Sequence, residues 1–244
     1  MPQLSDRRKS ELAALGELLA QPGLHKTRRE EVLATFEELQ LRCGLEDPWY
    51  FLRHLCYTLN EHAPKRANAY QNFPDHPYLE HMARKWEEVA ARDHDRVLGI
   101  WKSRQMMATW FVMAMTLWTI LDRVGSLVLL RSRKEADAAA MISRIGVILR
   151  KMPGKIQELL GNYQVQNLVI ELPMHDARIE GIPQGAAQVH GRTPTILADD
   201  ELALQEEAES GFAEAQPAIE GGGMYVALSS ARPGFMHRWV NDRT

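Results

Sequence analysis

From Ala108 to Leu121 the chain carries no charged residue, and the run ends only at Asp122 and Arg123. Placed on a helix from Thr109 to Arg123, these side chains are apolar nearly all round, so the helix must be enclosed by protein. It is too short to span a bilayer comfortably, and a helix buried in a soluble core follows. Its surroundings have a period of their own. Val97 to Trp101 before it and Ser126 to Leu130 after it are short, continuous apolar strands. Lys134 to Lys151 is an amphipathic helix with Ala138, Met141, Ile145 and Ile148 inward and Pro153 just past its end. Leu168–Leu172, Thr195–Ala198 and Met224–Leu228 read as further strands, the last after the turn Gly221-Gly222-Gly223. Strands alternating with helices predict an α/β fold, a mostly parallel sheet covered by helices on both faces.

The first part of the chain reads differently. Residues 1–92 are expected to be a helical segment and 93–244 an α/β core. Thr27 to Glu30 has capping-box spacing and Val32, Phe36 and Leu39 follow at helical period. Gly44 is expected to stop that helix. Asp47-Pro48 starts another, with Phe51, Leu52, Leu55 and Leu59 on one face. Glu61 to His76 reads as a loop, and Pro77 opens a helix with Met82, Trp86 and Val89 inside. The end, His237 to Arg243, reads as the start of a helix and so as a piece of something longer.

Several function classes drop out on composition. The two cysteines, Cys43 and Cys56, make no metal or disulfide framework, and the nine histidines are scattered. A net charge of −3 excludes a surface that is basic throughout but leaves room for a local basic patch. The charged start, Met1 to Ser10, lacks the apolar run of a signal peptide, so a cytoplasmic location is expected.

Chemistry is expected beyond the carboxyl ends of the strands. Lys102-Ser103-Arg104-Gln105-Met106-Met107-Ala108-Thr109 links the first strand to the apolar helix. A phosphate-binding loop needs a tight turn of backbone amides, a lysine, and a Ser/Thr hydroxyl for Mg²⁺ at the helix start. Thr109 stands where that hydroxyl belongs. Met107 and Ala108 stand where glycine and lysine are usual, while Lys102 sits at the loop entrance and Arg104 adds a second cation. A surface lysine and arginine beside a buried helix would read the same way. The second constellation is Asp199-Asp200-Glu201 after the strand Thr195–Ala198. In a nucleotide hydrolase one carboxylate there holds Mg²⁺ and the next is general base on the attacking water. Asp200 is assigned to the metal, with Asp199 as substitute, and Glu201 to the base; a solvated acidic loop, continuing to Glu206, Glu207 and Glu209, is the alternative. Ser229 and Ser230 end the last strand, where a hydroxyl could sense the γ-phosphate, or simply make a turn.

Together these residues resemble the large terminase ATPases of tailed phages. Lys102 to Met107, with Trp110, looks like that family's displaced phosphate loop. Asp200-Glu201-Leu202-Ala203 looks like its Walker B segment. Leu129 to Arg144 and Gly181 to Gly191 resemble the stretches leading to it, and Ser229-Ser230-Ala231 its coupling motif. The likeness covers about Pro48 to Phe235. It implies a RecA-like P-loop ATPase using ATP and Mg²⁺, with Lys102 to Thr109 around the phosphates and Glu201 and Arg104 in catalysis. Arg192 is the expected finger for a neighbouring subunit, unless His190 holds that place. It implies a homo-oligomeric ring on the portal protein of a phage in its bacterial host, translocating double-stranded DNA received from a small terminase subunit. A carboxy-terminal nuclease, usual in the family, has no room here. Tyr70, Gln71, Phe73 and Tyr78 are available for the adenine. A P-loop nucleic-acid ATPase outside packaging, and an inactive nucleotide-binding module, are the alternatives.

Overall fold

The computed structural model describes residues 5–59, 69–103, 106–185 and 188–242. Two helices, α1 (Asp6–Ala20) and α2 (Lys26–Glu46), open the chain. Asp47 then caps a short helical turn, α3 (Pro48–Tyr50), its carboxylate accepting from the Trp49 and Tyr50 amides at 2.8 and 3.1 Å. A π-helical turn, Phe51–Leu55, continues it. The hairpin β1 (Tyr57–Leu59) with β2 (Tyr70–Asn72) and the helix α4 (Pro77–Ala90) complete this part.

The core follows as β3 (Val97–Lys102), α5 (Ala108–Leu121), β4 (Leu127–Ser132), α6 (Glu135–Lys151) and α7 (Gly154–Leu160). Then come β5 (Gln164–Val165), β6 (Val169–Leu172), β7 (Ala177–Pro183), β8 (Ile196–Asp199), α8 (Ala208–Glu220), β9 (Met224–Ser230) and α9 (Phe235–Asp242). The strands form one seven-stranded sheet, ordered β3-β9-β8-β4-β7-β6-β5. From β3 to β7 every pairing is parallel; β6 and β5 join antiparallel at the far edge. This is the mostly parallel α/β sheet that the alternation of elements predicts.

Period-two alternation divides the strands between two cores. Ile196 and Ala198 of β8, Val128 and Leu130 of β4, and Val226 and Leu228 of β9 face α4, α5 and α6. Leu197, Leu129, Tyr225 and Ala227 face α8 and α9. α5 lies in the first core with Phe111, Met115 and Leu117 wholly buried, which is why its sequence has no polar face. Phe51, Leu52, Leu55, Phe73 and Trp86 belong to the same core, so the early part of the chain from Phe51 onward is continuous with it. Trp86 donates to Thr119 on α5 at 3.1 Å and Trp118 donates to the Gly44 carbonyl at 2.9 Å.

Some expectations are corrected. Gly44 does not end α2, which runs on to Glu46. A Cβ there would collide with Leu55 Cδ1, so this glycine serves close packing against the π-helical turn. Leu59 is not on a helix with Leu55, because the chain turns extended after Cys56. Part of the expected loop, 70–72, is strand β2. The acidic stretch after Glu207 is the helix α8, with Ala208, Phe212, Ala215 and Ala218 buried and the acids outward.

β7 was missed as well, since Arg178 and Glu180 interrupt its apolar pattern. Its glycine explains how α6 sits on the sheet. A Cβ at Gly181 would meet the Ala138 carbonyl oxygen at 3.0 Å and Ile142 Cγ1 at 3.1 Å. Gly181→Ala should therefore lower stability by about 1–3 kcal/mol, the usual cost of overpacking. Urea unfolding checks this, and an unchanged midpoint would contradict the close seating of α6 on β7.

Candidate nucleotide site

Two loops at the carboxyl ends of β3 and β8, strands separated in the sheet by β9, build the site. The first leaves β3, whose last residue, Lys102, lies in register with Ser230, the last of β9. The chain then enters α5 through Met107, which adopts a left-handed conformation (φ 52, ψ 13). For a residue with a Cβ this costs roughly 1–2 kcal/mol. The turn is braced nonetheless: the Met107 carbonyl accepts from Phe111 N at 2.8 Å, and Tyr78 of α4 donates to the Met106 carbonyl at 3.4 Å. Thr109 stands in the first turn of α5. Arg104 and Gln105 lie outside the described residues.

The second loop leaves β8. Asp200 N donates to the Arg131 carbonyl at 2.9 Å, continuing the β4–β8 pairing by one residue. Glu201 is left-handed (φ 52, ψ 43), which turns the chain into the helical turn Leu202–Leu204. That turn is tied down from β9, since Ser229 Oγ accepts from Ala203 N at 2.9 Å.

The two loops meet. Lys102 Nζ is 2.9 Å from Glu201 Oε1 and 3.9 Å from Asp200 Oδ1. Thr109 Oγ1 donates to the Asp200 carboxylate, 3.2 Å from Oδ2. Ser230 Oγ lies 3.4 Å from Glu201 Oε2. Residues separated by about a hundred positions in the chain thus share one polar cluster, roofed by a cleft of about 320 Å³ that Asp200, Glu201, Ser230, Arg133, Arg144 and Arg232 help to line. Burial pushes the Asp200 carboxyl up, and the nearby Lys102 charge and Thr109 hydrogen bond only partly offset it. Burial also acts on Glu201, but there the hydrogen bond and charge of Lys102, with Ser230, prevail and hold the carboxyl below its usual range.

Thr109 and Asp200 have the donor types that Mg²⁺ accepts beside a phosphate. Among the described residues no group of three His, Cys, Asp or Glu side chains could hold a metal unaided. A Mg²⁺ here therefore needs oxygens from phosphate and water, which is how the ion usually binds.

The expected residues are not all assembled. Asp199 is no substitute for Asp200. It is fully buried on the opposite face of β8, where Arg131 Nε and Nη2 bind its two oxygens at 2.5 and 2.7 Å and Tyr225 OH adds a third bond at 2.5 Å. Arg131 is itself only 1% exposed. The sequence does carry a signal for this pair: two adjacent apolar strands each end in a charge of opposite sign. Arg192 is 2.7 Å from Glu180 Oε2 and does not reach the Lys102–Glu201 cluster, and His190 lies 3.5 Å from Glu214. Of the residues considered for adenine, Phe73 is wholly buried in the core and Gln71 pairs with Thr58 in the hairpin. Tyr70 lies under the Lys151 ammonium, and Tyr78 donates to the Met106 carbonyl in the loop before α5.

Neither the family models nor the curated proteins include a match to this chain. Solved structures do match. The HK97 bacteriophage large terminase superposes with a TM-score of 0.62 at 14% identity, over 81% of this chain and 40% of that one. A mutant of the Thermus phage P74-26 large terminase ATPase domain gives 0.50 at 12% identity, over 68% of this chain and 70% of that one. The chain has the fold of a phage large terminase ATPase domain. It spans well under half the length of the HK97 terminase. No helix among the described residues is long and apolar enough to cross a membrane.

Two outcomes follow for the terminase-like framework. Arg131→Met should cost about 3–5 kcal/mol, because it leaves Asp199 charged, buried and unpaired. Adding Asp199→Leu should recover part of that loss, and a double-mutant cycle by urea unfolding reads the difference. For Glu180, burial raises its carboxyl, but the hydrogen bonds and charges of Arg192 and Arg178 outweigh this and hold it below the ordinary 4.5. A depressed folded value means that its contribution is present above pH 4.5 and lost as pH falls through the lower folded value. Wild type should thus be more stable than Glu180→Gln at neutral pH, and the two melting curves should converge on acidification.

Proposed function

We propose that this chain is the ATP-hydrolysing motor domain of a phage large terminase. The observation that carries the reading is the cluster Lys102–Glu201–Asp200–Thr109, joined across adjacent parallel strands in a terminase ATPase fold. An ammonium, a hydroxyl and two carboxylates of differing environment are the parts phosphoryl transfer to water requires.

In this reading Lys102 exchanges partners. Before nucleotide arrives its ammonium neutralises Glu201; the β- and γ-phosphates, with more charge, draw it away. Glu201 is then free to accept a proton from the water that attacks the γ-phosphate, while Ser230 keeps its carboxylate oriented. Thr109 and Asp200 would hold Mg²⁺, which would supply neutralisation of charge on the phosphates. Ser229, bonded to Ala203 just past the base, and Ser230, bonded to Glu201, tie β9 to the state of the γ-phosphate and supply the coupling. The motion drives double-stranded DNA into a procapsid. The partners are the portal protein, a small terminase subunit and further copies of this chain in a ring. Arg192 serves a neighbouring subunit's nucleotide only after leaving Glu180.

A second reading, an inactive nucleotide-binding module, draws on the glycine-free turn at Met107 and on the base already being paired with Lys102. Two substitutions separate the readings, assayed at high protein concentration with DNA present. Glu201→Gln should keep ATP binding and lower hydrolysis by about two to four orders of magnitude, since the amide cannot take the proton. Lys102→Ala should weaken both binding and turnover. ATP binding by wild type with no hydrolysis, unchanged by Glu201→Gln, would establish the inactive module. DNA affinity should be independent of sequence and fall steeply with salt as counterions are released.

A further inference from the structure

Arg144 projects from α6 into the cleft that also contains Asp200, Glu201 and Ser230. It is half-buried, and its guanidinium carbon sits 6.0 Å from the centre of the Trp110 ring. Trp110 follows Thr109 in the first turn of α5, so the arginine rests on the turn that carries the hydroxyl of the site. Among the described residues no carboxylate lies within ion-pair distance of Arg144. Other sheltered arginines of this chain are matched: Arg84 with Asp47, Arg131 with Asp199 and Arg192 with Glu180. A sheltered cation without an anion is costly unless a ligand supplies one. A cation over an aromatic face at this distance is held without using its N–H groups, which suit a bidentate acceptor such as phosphate.

We infer that Arg144 contacts the γ-phosphate of the nucleotide bound to its own subunit, from the side opposite Lys102. The inference rests on the nucleotide reading of the site. Lys102 enters the cluster from β3, Arg144 from α6 on the far side of β8, and the two acids lie between them. As charge moves on to the phosphate oxygens in the transition state, a guanidinium held there stabilises it without reorganising. A nucleoside diphosphate has no γ-phosphate, so Arg144 discriminates the triphosphate from the product.

The test compares binding of ATPγS and ADP, and steady-state ATPase activity, for wild type, Arg144→Gln and Arg144→Lys. Arg144→Gln should weaken ATPγS binding about tenfold or more and lower kcat, consistent with loss of a charged hydrogen bond. Its ADP affinity should stay within about twofold of wild type, which also shows that the variant is folded and its phosphate loop intact. Arg144→Lys should recover part of the preference for ATPγS, because it restores charge without the planar fork. Equal loss of ADP and ATPγS binding would make Arg144 a packing residue and overturn the inference, as would an unchanged ratio. Wild type that binds neither nucleotide would overturn the nucleotide reading itself, and this inference with it.

Discussion

Beneath the polar cluster, Arg131 on β4 and Asp199 on β8 form a bidentate pair with almost no exposure, closed by the Tyr225 hydroxyl from β9. Three adjacent parallel strands are thereby fixed at the same level. The apolar side chains of these strands would tolerate a slip along the strand far better than the ion pair would, because a slip leaves two charges buried and apart. The register has direct consequences one residue later. The Arg131 carbonyl takes the Asp200 amide, and Asp200 and Glu201 leave the sheet facing Lys102 and Thr109. The acid that looks most like a spare ligand in the sequence is thus the anchor that aims the other two.

Two left-handed residues bracket the cluster, Met107 before α5 and Glu201 after β8. Each turns the chain sharply enough to bring a side chain of the polar cluster inward: Thr109 two residues on in one case, the Glu201 carboxylate itself in the other. Backbone strain at both sides of a polar cleft is the usual mark of a site where position matters more than local stability. At Glu201 the compensating bonds are visible, from Lys102 and Ser230 to the carboxylate and from Ser229 to the turn that follows.

The elements legible in the sequence are those whose burial is simple. α5, β4, β8 and β9 are covered on both sides, so they read as apolar runs, and α6 reads by its inward stripe of Ala138, Met141, Ile145 and Ile148. β7 did not read as a strand because its outward charges are stabilised by structure: Arg178 bonds Glu180 and Glu171, and Arg192 returns to Glu180. α8 hid behind its acids for the same reason. Of the site, the order of motifs was enough to place Lys102, Thr109, Asp200 and Glu201 together. The separation of Asp199 from Asp200 was not, since adjacent carboxylates at a strand end point to opposite faces and only the buried partner on β4 shows which face is which. Arg144 was legible as the end of a stretch that resembles the family, but its position over Trp110 beside the acids was not, since it depends on how α6 packs against α5.

The glycine-free loop between β3 and α5 also bears on how the segment before the sheet is understood. A glycine-rich loop gains its shape from its own backbone freedom. Here Met106 and Met107 lack that freedom, and the shape is held from outside. Tyr78 on α4 bonds the Met106 carbonyl, while Trp86 on the same helix packs edge-on to Phe111 and bonds Thr119, so α4 grips both the loop and the helix it leads into. α4 is in turn held to the preceding segment by Arg84, which pairs with the helix-capping Asp47 at 3.0 Å. A line of contacts therefore runs from the start of α3 to the loop that enters α5. The segment that precedes the sheet thus braces from outside a loop whose own sequence lacks glycine.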